Sequence, residues 1–144
     1  QRKEKLEKIE TGTWTSFDEG KPEQIVITYG PEVDRVREKA RINGMGLRVV
    51  NARFFKPVDR TMLREIFAAG LPVTVFETDV SQGGLSSAIR DELAGQDGPV
   101  PAFHVIGLPD AFIPHGSVRT LRREEGISLE DLFDWLESRR GAQS

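Results

Sequence analysis

Two carboxylates, Glu77 and Asp79, stand where a β-branched and aromatic run, Val73-Thr74-Val75-Phe76, gives way to Gln82-Gly83-Gly84. Residues two apart at a strand's end share a face. Carboxylates paired in that way can hold Mg2+ or exchange protons. No third ligand is near in sequence, and strand-end carboxylates also serve as solvated groups or as caps of a neighbouring turn. The glycine pair stands at the start of a helical pattern, where free N–H groups and a positive dipole favour phosphate or another small anion. It is not Gly-x-Gly-x-x-Gly, and no Gly-Lys-Ser/Thr phosphate loop occurs. A tight turn with close backbone packing explains the same glycines. Of the two histidines, His104 lies in an apolar strand between Phe103 and Val105, where packing or a hydrogen bond is its ordinary role. His115 has Asp110 and Ser117 nearby but no Gly-x-Ser-x-Gly elbow for a nucleophile. Phe54 and Phe55, together with Phe112 and Ile113, are apolar side chains in loops, candidates for packing against another domain or subunit.

The elements that must position these residues alternate. Thr13–Phe17 reads as a short edge strand and Asp18–Pro22 as a turn. Ile25–Tyr29 is a near-continuous apolar run, suited to a strand covered on both faces. Gly30-Pro31 stops it, Val33, Val36 and Ala40 mark a helical face, and Asn43-Gly44 ends that helix. Leu47–Ala52 is the next strand. Asp59 is placed to cap a helix whose stripe is Leu63, Ile66 and Phe67 and which Gly70 closes. After the central strand, Leu85, Ala88, Ile89 and Leu93 recur at helical spacing. Ala102–Ile106 forms a last strand. Val118–Glu125 reads as a short helix, and Leu129, Leu132, Phe133 and Leu136 form one face of a final helix that Ser128 and Asp131 open.

This alternation argues for a three-layer α/β/α sandwich on a mostly parallel sheet. The first turn is too short for a crossover, which predicts one antiparallel edge strand. The chain organises as a charged leader or linker (1–11), one domain (12–140) and a fraying tail (141–144).

At 144 residues, such a chain buries about two-thirds of its unfolded surface and needs no metal or disulfide to hold a core. A net charge of −3 gives no footprint for nucleic acid or an anionic membrane. The absence of cysteine removes disulfides and thiolate chemistry. No run is long and apolar enough to suggest a membrane span. The chain starts at Gln1 and not at Met, which suggests a piece of something longer or a processed chain. From the residues alone, this is an α/β domain without a self-sufficient active site.

Three stretches carry a resemblance: Val49-Val50-Asn51-Ala52-Arg53-Phe54-Phe55-Lys56-Pro57-Val58-Asp59, Val75-Phe76-Glu77 through Gln82-Gly83-Gly84-Leu85-Ser86-Ser87-Ala88-Ile89, and Ile106-Gly107-Leu108-Pro109-Asp110-Ala111-Phe112-Ile113-Pro114-His115-Gly116-Ser117. In this order they resemble the C-terminal domain of the 1-deoxy-D-xylulose 5-phosphate synthases, thiamine-diphosphate enzymes of the transketolase group. The resemblance runs from about Gly12 to Leu136. It implies a five-stranded sheet with one antiparallel edge and a dimerisation and scaffolding role. The full-length enzyme it implies is a cytoplasmic homodimer joining pyruvate and glyceraldehyde 3-phosphate with loss of CO2, for isoprenoid, thiamine and pyridoxal synthesis. Thiamine diphosphate and Mg2+ would be bound by upstream domains of the same chain. The group's Gly-Asp-Gly…Asn cofactor signature is missing here, so no catalytic, cofactor or metal residue is carried over. The glycine turn is shared with the β subunits of 2-oxo acid dehydrogenases, whose partner is a lipoyl acyltransferase core. That family and a free-standing small-anion-binding module are the alternative readings.

Overall fold

Apolar runs with few polar interruptions become the centre of a sheet because both their faces are covered. In the computed structural model, which describes residues 13–53, 57–77, 84–96, 98, 100–107 and 129–143, five strands form one sheet. They are β1 (Thr15–Glu19), β2 (Gln24–Thr28), β3 (Leu47–Asn51), β4 (Val73–Glu77) and β5 (His104–Gly107), in spatial order β1-β3-β2-β4-β5. β2 and β4 are buried along their whole length. β2 pairs in parallel with β3 and β4, and β4 with β5.

β1 is the antiparallel edge, but its partner is β3 and not its sequence neighbour β2. A short turn settles direction; it does not stop another strand from inserting between the two it joins. The strand also runs two residues further than the sequence suggests, through Asp18 and Glu19, and begins later, at Thr15. Those carboxylates are tolerated because cations meet them. Arg48 Nε donates to Asp18 at 2.8 Å, and Arg37 Nε to Glu19 at 2.7 Å, with the Arg37 guanidinium 4.2 Å from the centre of the Phe17 ring. The hydrogen bond to Asp18 raises the Arg48 pKa above its ordinary value. Charges along this edge also discourage pairing with a further strand. β5 likewise begins two residues later than the sequence implies, at His104, and includes Gly107.

Four helices among the described residues cover the sheet: α1 (Glu32–Asn43), α2 (Arg60–Ala68), α3 (Leu85–Ala94) and α4 (Leu129–Gln143). α1 starts after Pro31, whose missing N–H costs nothing there. It buries Val33, Val36 and Ala40, and it ends at Gly44, in the left-handed conformation at φ 65°. The Met45 N–H then closes on Ala40 O at 2.9 Å. α2 is capped by Asp59, whose Oδ1 accepts from Met62 N at 3.0 Å. Its Oδ2 accepts from Trp14 N at 2.8 Å, tying the chain's first described residues to this helix.

The periodicity of the apolar residues sends the helices to opposite faces. Leu63 and Ile66 of α2 and Leu85, Ile89 and Leu93 of α3 pack on Ile25, Ile27, Val50, Val73 and Val75. On the other face, α1 and Leu132, Phe133 and Leu136 of α4 pack on Val26, Val49, Phe76 and Ile106. Each fully buried Leu or Ile contributes roughly 2 kcal/mol. The architecture is the three-layer α/β/α sandwich with one antiparallel edge. The Val118–Glu125 helix and the Ser128 helix start fall outside the described residues. None of the described helices is long and apolar enough to cross a membrane.

Candidate functional site

In open α/β sheets, ligands gather at the carboxyl ends of the parallel strands, where successive connections leave in opposite directions. Here the chain goes from β2 to β3 on one side, then steps back across β2 to β4. The switch point therefore lies between β2 and β4, at Thr28 and Glu77. The chain's own groups fill this place. The buried Thr28 hydroxyl donates to Phe76 O at 2.8 Å.

Glu77 is the dominant feature. It ends β4, is only 1% exposed, and shares a face with Val73 and Val75, toward α3. Its carboxylate reaches the first turn of that helix. Oε2 accepts from Leu85 N at 2.5 Å; Oε1 accepts from Ser86 N at 3.2 Å and from the Ser86 hydroxyl at 2.9 Å. The helix needs such a partner because its N-cap is Gly84, at φ 84°, with no side chain to supply an oxygen. A buried charge must be compensated, and here two backbone N–H groups, a hydroxyl and the positive end of the helix dipole compensate it. Among the described residues no group of three or more His, Asp or Glu side chains is placed to hold a metal ion.

Gly107 completes the arrangement from the neighbouring strand. It is paired with Glu77 in the β4–β5 ladder and has φ 153°. A Cβ at this position would fall on the Glu77 carbonyl oxygen. Glycine is therefore required by close approach of the two strand ends, and that approach holds the backbone from which the carboxylate projects.

Of the residues singled out by sequence, Glu77 and Gly84 come together at this helix start. Glu77 acts there as a cap, the structural role that its position at a strand's end allowed. The α3 N-terminus, read as a candidate anion site, has its Leu85 and Ser86 N–H groups already bonded to a carboxylate of the same chain. This argues against a small-anion-binding module. Phe54, Phe55, Asp79, Gln82, Gly83, Phe112, Ile113 and His115 lie outside the described residues. His104 is at the opposite end of the sheet, stacked on Trp135 with ring centres 3.7 Å apart. Sequence reasoning missed Ser86, which supplies two of the three donors; its place two residues after Gly84 was the available signal.

Comparison with known proteins agrees with this architecture. Residues 15–132 match the family described as the transketolase C-terminal domain. The relatives include proteins named 1-deoxy-D-xylulose-5-phosphate synthase from Bacillus licheniformis, 38% identical over 89% of this chain and 20% of the relative. Another, from Geobacillus thermodenitrificans, is 33% identical over 94% of this chain and 22% of the relative. The chain thus spans about a fifth of the length of the curated relatives it matches. A solved structure described as a split gene transketolase, inactive beta4 tetramer, superposes with a TM-score of 0.64 at 27% identity, covering 90% of this chain and 43% of that one. With a family match over most of its length and the fold to go with it, the chain belongs to the transketolase C-terminal domain family.

Proposed function

We propose that this chain serves as the C-terminal domain of a 1-deoxy-D-xylulose 5-phosphate synthase and is catalytically silent by itself. In this reading residues 12–140 are the folded domain, preceded by a charged leader (1–11) and followed by a short tail (141–144). The domain packs against upstream domains and a second subunit of a cytoplasmic homodimer. The full enzyme condenses pyruvate with glyceraldehyde 3-phosphate and releases CO2. Thiamine diphosphate and Mg2+ reside in the upstream domains. The residues present here do not fit that cofactor: the Gly-Asp-Gly…Asn signature is missing, and the N–H groups of Leu85 and Ser86 that would receive a diphosphate already hold Glu77.

The observation that carries the proposal is the filling of the switch point by Glu77 and Thr28, which makes this end of the sheet a structural support. Similarity to synthases along nearly the whole chain adds the identity of the larger enzyme. The test compares product formation from pyruvate and glyceraldehyde 3-phosphate by three preparations: the 144-residue chain, a longer protein containing it, and that protein with residues 12–140 removed. The expected result is turnover by the longer protein alone, with loss of its dimer on truncation. Turnover by the 144-residue chain, or full activity of a dimer after truncation, contradicts the proposal.

A further inference from the structure

At the opposite end of the same two strands the chain leaves a cation facing a cleft. Thr74 and His104 are cross-strand partners at the amino ends of β4 and β5. α4 passes over them. Trp135 Nε1 donates to the Thr74 hydroxyl at 3.0 Å, while its indole stacks on the His104 imidazole at an interplanar angle of 19°. One helical turn on, the Arg139 guanidinium lies 5.6 Å from the centre of the Trp135 ring. These side chains, with Val73 and Phe103, line a cleft of about 240 Å3.

Three features select a ligand. First, Arg139 is half-buried, and among the described residues no carboxylate lies within ion-pair distance of it; its recorded contact is the indole. Arg35, Arg37, Arg41, Arg60 and Arg140, by contrast, each have a carboxylate within 4.0 Å; Arg90 resembles Arg139 in resting on a ring, that of Phe103, but does not line the cleft. Second, among the described residues no carboxylate lines the cleft, so its charged and polar side chains favour an acceptor of negative charge. Third, the walls are flat and apolar, with Trp135 held in orientation by Thr74 on its edge and His104 on its face. A guanidinium resting near an indole is pre-oriented for bidentate contact with a carboxylate. The size is below that of a drug-sized pocket.

We propose that this cleft binds a carboxylate, with the acid group on Arg139 and the carbon body that carries it against Trp135 and Phe103. The carboxylate comes either from a free acid or from an Asp or Glu side chain of a longer form of the protein. The site is separate from the Glu77 end of the sheet, and its existence does not depend on the larger enzyme's identity.

The test titrates benzoate, acetate and inorganic phosphate into the isotope-labelled 144-residue chain and follows the Trp135 indole N–H signal. The buried Trp14 indole signal reports whether the fold is intact. Benzoate is expected to give a saturable shift, at least tenfold tighter than acetate. Arg139→Gln weakens benzoate at least tenfold with the Trp14 signal unmoved, and Arg139→Lys retains more affinity than Arg139→Gln. A shift that never saturates, or equal affinity in Arg139→Gln, overturns the proposal. So does phosphate binding as tightly as benzoate, which would indicate a site for any anion. Repeating the titration on a longer form separates the two sources. Persistent benzoate binding identifies a free acid, whereas loss that is restored by neutralising one acidic residue outside these 144 identifies an internal carboxylate.

Discussion

The two ends of the β4–β5 pair are finished in opposite ways. At the carboxyl ends, Glu77 carries its charge inward and spends both oxygens on the start of α3, while Gly107 lets the strand ends close together. At the amino ends, Arg139 keeps its charge at the rim of a cleft and rests on an aromatic face. One charge is compensated entirely by neighbouring groups; the other is not. The difference shows how a fold that places ligands at the carboxyl end of its sheet can make that end structural. It needs only a carboxylate at the strand terminus and a helix start without a capping side chain.

Substitutions at the closed end should be costly. Gly107→Ala is expected to have the largest effect. It forces a Cβ onto the Glu77 carbonyl and adds the strain of an unusual φ, for a loss of about 4 kcal/mol in urea unfolding. A loss under about 1 kcal/mol would mean that the strand ends part easily and the closure is loose. Glu77→Ala should cost about 3 kcal/mol, because it removes a helix cap and leaves buried donors without an acceptor. Glu77→Gln keeps one acceptor and should fall between Glu77→Ala and the unaltered chain. If Glu77→Ala unfolds at the same urea concentration as the parent, the cap contributes nothing.

The open end should respond weakly in stability. Trp135→Phe loses the hydrogen bond to Thr74 and some apolar area, for about 1–2 kcal/mol. Arg139→Gln should move stability by less than about 0.5 kcal/mol, as surface substitutions ordinarily do. Thermal unfolding of the two variants side by side checks this order. A destabilisation by Arg139→Gln as large as that of Glu77→Ala would erase the contrast between the ends.

Much of the frame was legible in the residues. Val33, Val36 and Ala40, or Leu85, Ile89 and Leu93, declare their helices by spacing, and Asp59 sits where a cap must sit. Those signals are local, and local geometry decides them. The partner of β1 is not local: a turn between Glu19 and Gln24 says nothing about whether β3 will enter between the strands. Glu77 was visible as a strand-end carboxylate, but it caps a helix beginning eight residues later, beyond the reach of rules about the residue that precedes a helix. Gly107 directly follows the last apolar run, and it is required for cross-strand clearance, which the run does not announce. The Thr74–Trp135 bond joins residues 61 positions apart, and no periodicity encodes it.

The account rests on the carboxyl end of the sheet being closed to the cofactor. The most direct measurement follows the Leu85 and Ser86 amide signals of the 144-residue chain during titration with thiamine diphosphate and Mg2+. With Glu77 in place, those signals should stay where they are up to millimolar cofactor. A saturable shift of both amides at micromolar cofactor would contradict the account, because it would show the helix start giving up its own carboxylate to receive the diphosphate.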